Sequence, residues 1–521
     1  YDNDNDNDQD IPALVFHPGI PASVRKSIIL LIILDIGIFF SSHASMGASV
    51  DLHLDVFGDK FQYNTIFPFG LGYSLVTLWN GCAVTLVAFL ATFSGGWVYL
   101  KLLLMTLLWC TPTTVLSTKK RGVYFHYLDM FGKWSLLDLL VLTQSMVAFY
   151  VRIQHPQLEI LPTEFYLVDL IVTPSYGLYS FAAAITLSLV LSHVQVVYHN
   201  KSLVYDEAQR KKQGSIPSRS ASLLPFDSMN GLDPYGDTNT MKEKDVSLAS
   251  SSLLLNDGQN VSVSTIVSDV HTPLRRCVNG MLPLAALLCM CWGVLTPAWT
   301  FHVRGMVGIV AEFGKENSTI HTYTFYSALQ QIVQQSKITT PTSSSFGVLV
   351  IMAIYVAFTF IIPCIHLLCL CLLWYMPLSL SNLQTLQFVT HIASSFSAME
   401  VWLLATVVTV LQIQFISYSV LDAQCSTFLP MFRTAARYGF INMEDANCFQ
   451  IDGSFEWLGL ALLFVSVVLA HIATWFITTD SECAFLRRKE KVKDDNNNSI
   501  FNDGENDRHR RVSSLLTQSI N

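Results

Sequence analysis

Charge is what this chain has least of. Only 13% of its 521 residues are Asp, Glu, Lys or Arg, about half the share of an ordinary soluble domain, which argues against a freely soluble enzyme. Its 31 basic and 39 acidic residues leave a net charge of −8, without the clustered basic surplus of a nucleic-acid binder. The eleven cysteines contain no CxxC pair and no zinc-ribbon spacing, so no structural metal is expected. GxSxG, HExxH and phosphate-loop patterns are also missing, which removes the common hydrolase and nucleotide chemistries. No catalytic residue and no cofactor is expected.

Hydrophobic residues, by contrast, make up 51% of the chain, and the mean hydropathy is +0.41. They gather into runs approaching the ~20 residues that cross a bilayer as a helix. The first runs from Ser27 to Phe40, extends to about Met46, follows Arg25 and Lys26, and carries Asp35 in its middle. The next spans Gly81 to Leu116, is broken at Ser94, Gly95 and Gly96, and is closed by Lys119, Lys120 and Arg121. Runs at Trp134–Val151 and Ser175–Tyr198 complete a set of four. A second set follows at Gly280–Thr300, Phe346–Leu373, Phe396–Phe415 and Phe455–Thr478. The stretch between the first two runs reads as a mixed loop, with Thr65–Trp79 as a re-entrant or interfacial element. The expected fold class is thus an all-α polytopic membrane protein with about eight spans. The expected organisation is a disordered acidic segment at 1–24, a four-helix unit at 25–200, a disordered linker at 201–274, a second four-helix unit at 275–480, and a disordered tail at 481–521.

The two sets align as an internal repeat. LLWCTP at Leu107–Pro112 matches LLWYMP at Leu372–Pro377, and Lys101 then falls opposite His366. The third runs begin WSLLD at Trp134–Asp138 and FSAME at Phe396–Glu400, each with Ser second and a carboxylate fifth. The fourth runs superpose His193 on His471.

This doubled motif, with LTPAW at Leu295–Trp299 and the Pro-then-basic step IIPCIHLL at Ile361–Leu368, resembles the paraquat-inducible protein A family of duplicated integral membrane proteins. The resemblance covers about Arg25 to Asp480 except the linker. It implies movement of lipid across or between membranes, alongside a lipid-conduit partner protein. The zinc ribbons usual in bacterial members are lacking here, so functions tied to them do not carry over.

The residues themselves leave alternatives open. A carboxylate at mid-bilayer costs at least ~2.5–3.5 kcal/mol, so it is usually paired or functional. Asp138 and Glu400 read either as first-turn acids helped by capping from Ser135 and Ser397, or as a proton or headgroup relay with Lys101 and His366. These acids are expected near the cytoplasmic mouth of their helices. Lys101 snorkelling to the interface is the bland alternative. For His193 and His471 it is a favourable place near a helix C-terminus, and for Asp35 the expectation is a single pairing role with Lys101. Function is expected to be movement or presentation of lipids or other amphiphiles; the alternatives are a non-catalytic scaffold or receptor-like protein, or a haem-binding electron carrier using the duplicated histidines. Basic flanks put both termini and the linker on the cytoplasmic side. On the opposite, oxidising side, Cys425 and Cys448 are expected to form a disulfide and Asn317 to accept a glycan.

Overall fold

In a computed structural model of the chain, the structure describes residues 13–56, 59–80, 84–154, 166–212, 262–266, 273–305, 308–309, 319–339, 344–425, 430, 434, 437–438 and 449–518. Seven helices among them are long and apolar enough to cross a membrane, which makes the chain a multi-pass integral membrane protein. The first, α1 (Ala22–Ala44), shows how such a helix is specified. Ile28, Ile32, Asp35, Phe39 and Ser42 are buried at three- and four-residue spacing, while Leu30, Ile33, Leu34 and Phe40 are exposed. One stripe faces protein and the remainder is apolar enough for lipid. Asp35 and Ser42 both lie on the protein-facing stripe.

The chain is not all helix. The stretch read as a mixed loop forms β1 (Ala48–Val56) and β2 (Asp59–Phe69), followed by α2 (Leu71–Asn80). Thr65–Trp79, expected as a re-entrant or interfacial element that does not span, is the end of a strand and a helix too short to span. Strands β1 and β2 pair antiparallel, with Ala48 opposite Phe69 and Val56 opposite Asp59. A bulge falls between Val50 and Leu52, opposite Thr65, whose φ of 58° is costly for a β-branched residue. Asp51 holds it there: its carboxylate accepts the Thr65 N–H at 2.7 Å and the Ser49 hydroxyl at 3.1 Å, and also bonds the Thr173 hydroxyl.

After α3 (Val84–Leu90) and a π-helical segment at Ala91–Gly96, α4 (Trp97–Cys110) leads to α5 (Thr118–Gly132), a 3-10 turn at Lys133–Leu136, and α6 (Leu137–Ala148). Strands β3 (Val151–Gln154) and β4 (Tyr166–Pro174) precede α7 (Tyr176–Lys212). The sheet order is β2-β1-β4-β3, so the strand after the first run lies centrally, beside the strand before the fourth. The run expected at Trp134–Val151 is only the short α6. With α5 and the 3-10 turn it makes a bent path of roughly 45 Å at ~1.5 Å per residue.

The second half has its own helices and sheet. A short helix α8 (Val263–Ile266) precedes α9 (Pro273–Leu295) and β5 (Trp299–Arg304). Then come β6 (Ile320–Tyr323), α10 (Phe325–Thr339), α11 (Ser344–Val356), a π segment at Ala357–Ile361, α12 (Ile362–Tyr375), α13 (Leu380–Phe396), α14 (Met399–Cys425), β7 (Gln450–Phe455) and α15 (Trp457–Gln518). Its sheet runs β6-β5-β7, with β5 central like β1. The helix following each sheet starts against the end of the first helix. A Cβ on Gly177 would lie 2.6 Å from the Met46 carbonyl oxygen, and one on Gly459 2.0 Å from that of Pro297. Only glycine permits these approaches.

Several boundaries differ from the sequence expectation. Residues 481–518 continue α15 rather than forming a disordered tail, and 201–212 continue α7 into the expected linker. Leu14–Phe16 forms a 3-10 helix within the segment expected to be disordered, and Ala13, Leu14 and Ile20 are buried. The chain separates into two compact units, one of Tyr1–Tyr235, Met290–Pro363 and Ser395–Phe464, the other of Gly236–Cys289, Cys364–Ser394 and Val465–Asn521. They do not follow the four-helix units read from the repeat. Cys448 and Asn317 lie outside the described residues, so the disulfide with Cys425 and the glycan do as well.

Candidate functional site

Within the first compact unit, irregular turns in neighbouring helices bring buried polar groups together. A π-helical turn carries one residue too many for the α-helical hydrogen-bond ladder and leaves a carbonyl without its usual donor. Gly95 and Gly96 accommodate the first such turn; Pro363, which has no N–H, lies just beyond the second. The break between α13 and α14 at Ser397 and Ala398 frees an amide. The Ala398 N–H donates to the Phe358 carbonyl of the π segment at 3.0 Å, so two irregular turns satisfy each other. The corresponding π segment and 3-10 turn of the first half also touch.

Lys101 and His366 each stand five residues beyond the end of a π segment. Lys101 lies on the buried stripe of α4 with Val98, Leu102, Met105, Leu108 and Trp109, and is 0% exposed. It does not snorkel. Its Nζ donates to the Ser188 hydroxyl at 3.1 Å and lies within electrostatic range of Asp129 and Asp35. Gly132 makes room for it, because a Cβ there would meet Nζ at 3.0 Å. Asp35 is also 0% exposed, and neither carboxylate oxygen has a hydrogen-bond partner. The Asp35–Lys101 relation is thus one of electrostatic proximity, without a direct ion pair in the structure.

Asp129, on α5, is the hub. Its Oδ2 accepts the Ser395 hydroxyl at 2.6 Å and lies 3.6 Å from Nδ1 of His193, and its Oδ1 is 3.5 Å from the Ser192 hydroxyl. Four residues on, Lys133 forms an ion pair with Glu400, both largely buried. These contacts join α5 and its 3-10 turn to the α13–α14 break.

The expected acid–base sets are therefore regrouped. Glu400 pairs with Lys133 in place of His366, whose Nε2 lies 3.3 Å from the Thr474 hydroxyl within the second unit. Asp138 is half-buried in the first turn of α6, near the Ser94 hydroxyl, while Lys101 is directed to Ser188 and Asp129. Ser135 does not cap α6: its hydroxyl is buried without a partner, and the N-cap position is Leu136. Ser397 occupies the α13–α14 break. Asp138 lies ~30 Å along the helical path from the start of α5, in the first turn of α6 directly after the 3-10 turn. His193 and His471 are also far from helix C-termini, since α7 reaches Lys212 and α15 reaches Gln518; His193 is buried and His471 is exposed.

Sequence reading missed Asp129, Lys133, Ser188, Ser192 and Ser395. A signal for α5 was present: Arg121, Gly122, Phe125, Leu128, Asp129 and Gly132 recur at helical spacing and are all buried. A second polar knot ties the halves together nearby. The Tyr355 hydroxyl receives Trp402 Nε1 at 2.6 Å and Gln144 Nε2 at 3.0 Å, and Tyr355 is almost completely buried.

No protein-family model, curated protein or solved structure matches this chain.

Proposed function

We propose that this chain is a duplicated eight-span protein that moves or presents lipids or other amphiphiles between or across membranes, and that it belongs with the paraquat-inducible protein A family its doubled third-run motif resembles. The single observation carrying this reading is the set of buried charges, Lys101, Asp35, Asp129 and the Lys133–Glu400 pair, beside irregular turns of otherwise apolar helices. Charges in such helices cost several kcal/mol and are characteristic of substrate or ion pathways, and irregular backbone at membrane depth characteristically lines protein or a watery cavity. Two similar halves supply two similar sets of bends. On this reading α5, the 3-10 turn and α6 form the eighth crossing. Both termini and the linker are cytoplasmic, the sheets lie on the other face, and the protein works by binding and moving lipid without catalysing a reaction. A lipid-conduit partner on the sheet side completes the scheme.

The test is a lipid-transport assay in proteoliposomes, joined to native mass spectrometry of the purified chain. Asp138→Asn with Glu400→Gln keeps side-chain shape while removing charge, so transport and co-purifying lipid should fall; because Glu400→Gln also strands Lys133, transport is compared at equal amounts of monodisperse protein below its melting range. Full transport by the double variant would overturn the role of these acids. Absence of both transport and bound lipid in the native protein would overturn the function.

A further inference from the structure

Where α5 begins and α7 nears its end, a second polar cluster lies apart from the Lys101–Asp129 network. Helix α5 opens on Thr118-Lys119-Lys120-Arg121 with no acidic residue in its first turn, and its N-cap Ser117 gives no side-chain hydrogen bond. Such a start presents unsatisfied N–H groups and the positive end of the helix dipole. Arg121 is 1% exposed, yet among the described residues its guanidinium makes a single long hydrogen bond, from NH1 to the Thr111 carbonyl at 3.4 Å. That carbonyl belongs to the connection leading into the same first turn. Nε of Arg121 is buried without an acceptor. On α7, His199 is 2% exposed, lies within electrostatic range of Arg121 and His17, and packs on Phe125 at 5.5 Å; its Nδ1 is also buried without a partner. The carboxylate in range of Arg121 is Asp206, whose oxygens already take Nε2 of His17 at 3.0 and 3.1 Å. Lys119 and Lys120 are exposed on the approach.

A guanidinium offers five donors in a fixed fork, and leaving the Arg121 Nε–H without an acceptor away from water is costly. We infer that Arg121, His199 and the first turn of α5 form a binding site for a phosphate-type oxyanion, supplied either as free phosphate or as the phosphate of a lipid headgroup. A tetrahedral oxyanion presents acceptors in several directions. It can take the Arg121 Nε–H, a first-turn amide and a His199 ring N–H together, which a planar carboxylate such as Asp206 does not do while engaged by His17. Helix starts and arginine forks are suited to this chemistry. The inference is independent of any transport activity.

The test uses the full-length chain, delipidated in a neutral detergent. Inorganic phosphate is titrated against chloride at equal ionic strength, and in parallel micelles are doped with phosphatidic acid or with diacylglycerol, which lacks the phosphate. Thermal stability and hydrogen exchange at residues 118–121 are followed. The site requires a saturable rise in Tm and slower exchange with phosphate or with phosphatidic acid. Response to phosphate alone, with nothing added by phosphatidic acid, assigns a free anion; response to phosphatidic acid and not to phosphate or diacylglycerol assigns a lipid headgroup. Arg121→Gln should weaken half-saturation at least tenfold. Should that variant not fold, Arg121→Lys, which keeps the charge but loses the fork, and His199→Gln should each weaken it several-fold. An unresponsive native protein, meaning that water alone fills the site, would overturn the inference, as would variants that respond like the native chain.

Discussion

At the scale of single residues, the contest is between the cost of burial and the partners that offset it. Asp169, in the sheet and 5% exposed, illustrates this outside the membrane: burial pushes its carboxyl above the usual range, while Arg152, with Nε 3.5 Å away, and His53 pull it back. An acid raised in the folded state contributes stability below its ordinary range, and that contribution is lost as pH rises through the raised value. Asp169→Asn should therefore melt no lower than the native protein near neutral pH, and any advantage should disappear below about pH 4, the ordinary carboxylate range. Thermal scans across that window check it; a large loss at neutral pH would place the Arg152 pair above the burial cost. Lys133 and Glu400 give a complementary case, because removing one member of a largely buried pair strands the other, at ~3–5 kcal/mol. Lys133→Met should destabilise strongly, and Lys133→Met with Glu400→Met should recover much of the loss in the same melting assay. Legibility at this scale followed context. Asp35 and Lys101 stood out because apolar runs surround them, whereas Asp129 and Lys133 lie in a stretch of mixed polarity that hides a buried helical stripe.

At the scale of elements, the helices were largely legible from apolar length, but their bends were legible only in part. Ser94-Gly95-Gly96 and Pro363 mark the π segments; nothing comparably strong marks the 3-10 turn at Lys133–Leu136, which arises where Trp134 and Ser135 join two helices packed on different partners. The strands carried a readable signal. Ser49-Val50-Asp51-Leu52-His53-Leu54-Asp55-Val56 alternates polar and apolar residues strictly, the period of a strand with one covered face, but short length between strong membrane runs masked it. The helix starts make a direct prediction. Gly177→Val should cost about 1–3 kcal/mol or more, because the opposing Met46 oxygen is backbone and has no rotamer by which to withdraw. Melting temperature and expression level report it, and a neutral outcome would mean that α7 can shift along α1 without penalty. Asp51→Ala should loosen the Thr65 bulge by about 1–3 kcal/mol through the unmatched amide, seen as faster hydrogen exchange at residues 62–67.

At the scale of the whole molecule, composition and run length fixed the class as a multi-pass membrane protein, while the sheets and the compact units depend on long-range packing that local patterns do not encode. The eight-span reading is checked by labelling single cysteines introduced at Ser117 and at Gln154 from either side of sealed vesicles. They should react from opposite sides; same-side labelling would leave seven crossings. The sheet order also bears on how the protein is made. β1 emerges after the first hydrophobic helix but pairs with β4, Ala48 opposite Pro174 and Val56 opposite Tyr166, so its partner is synthesised more than a hundred residues later. Until the chain from α2 through β4 has been made, one margin of β1 stays open. The sheet is thus a late event in biogenesis, and its closure registers that every earlier insertion step has succeeded. A nascent chain stalled before β4 would display that open margin to chaperones and proteases, a built-in mark of incompleteness.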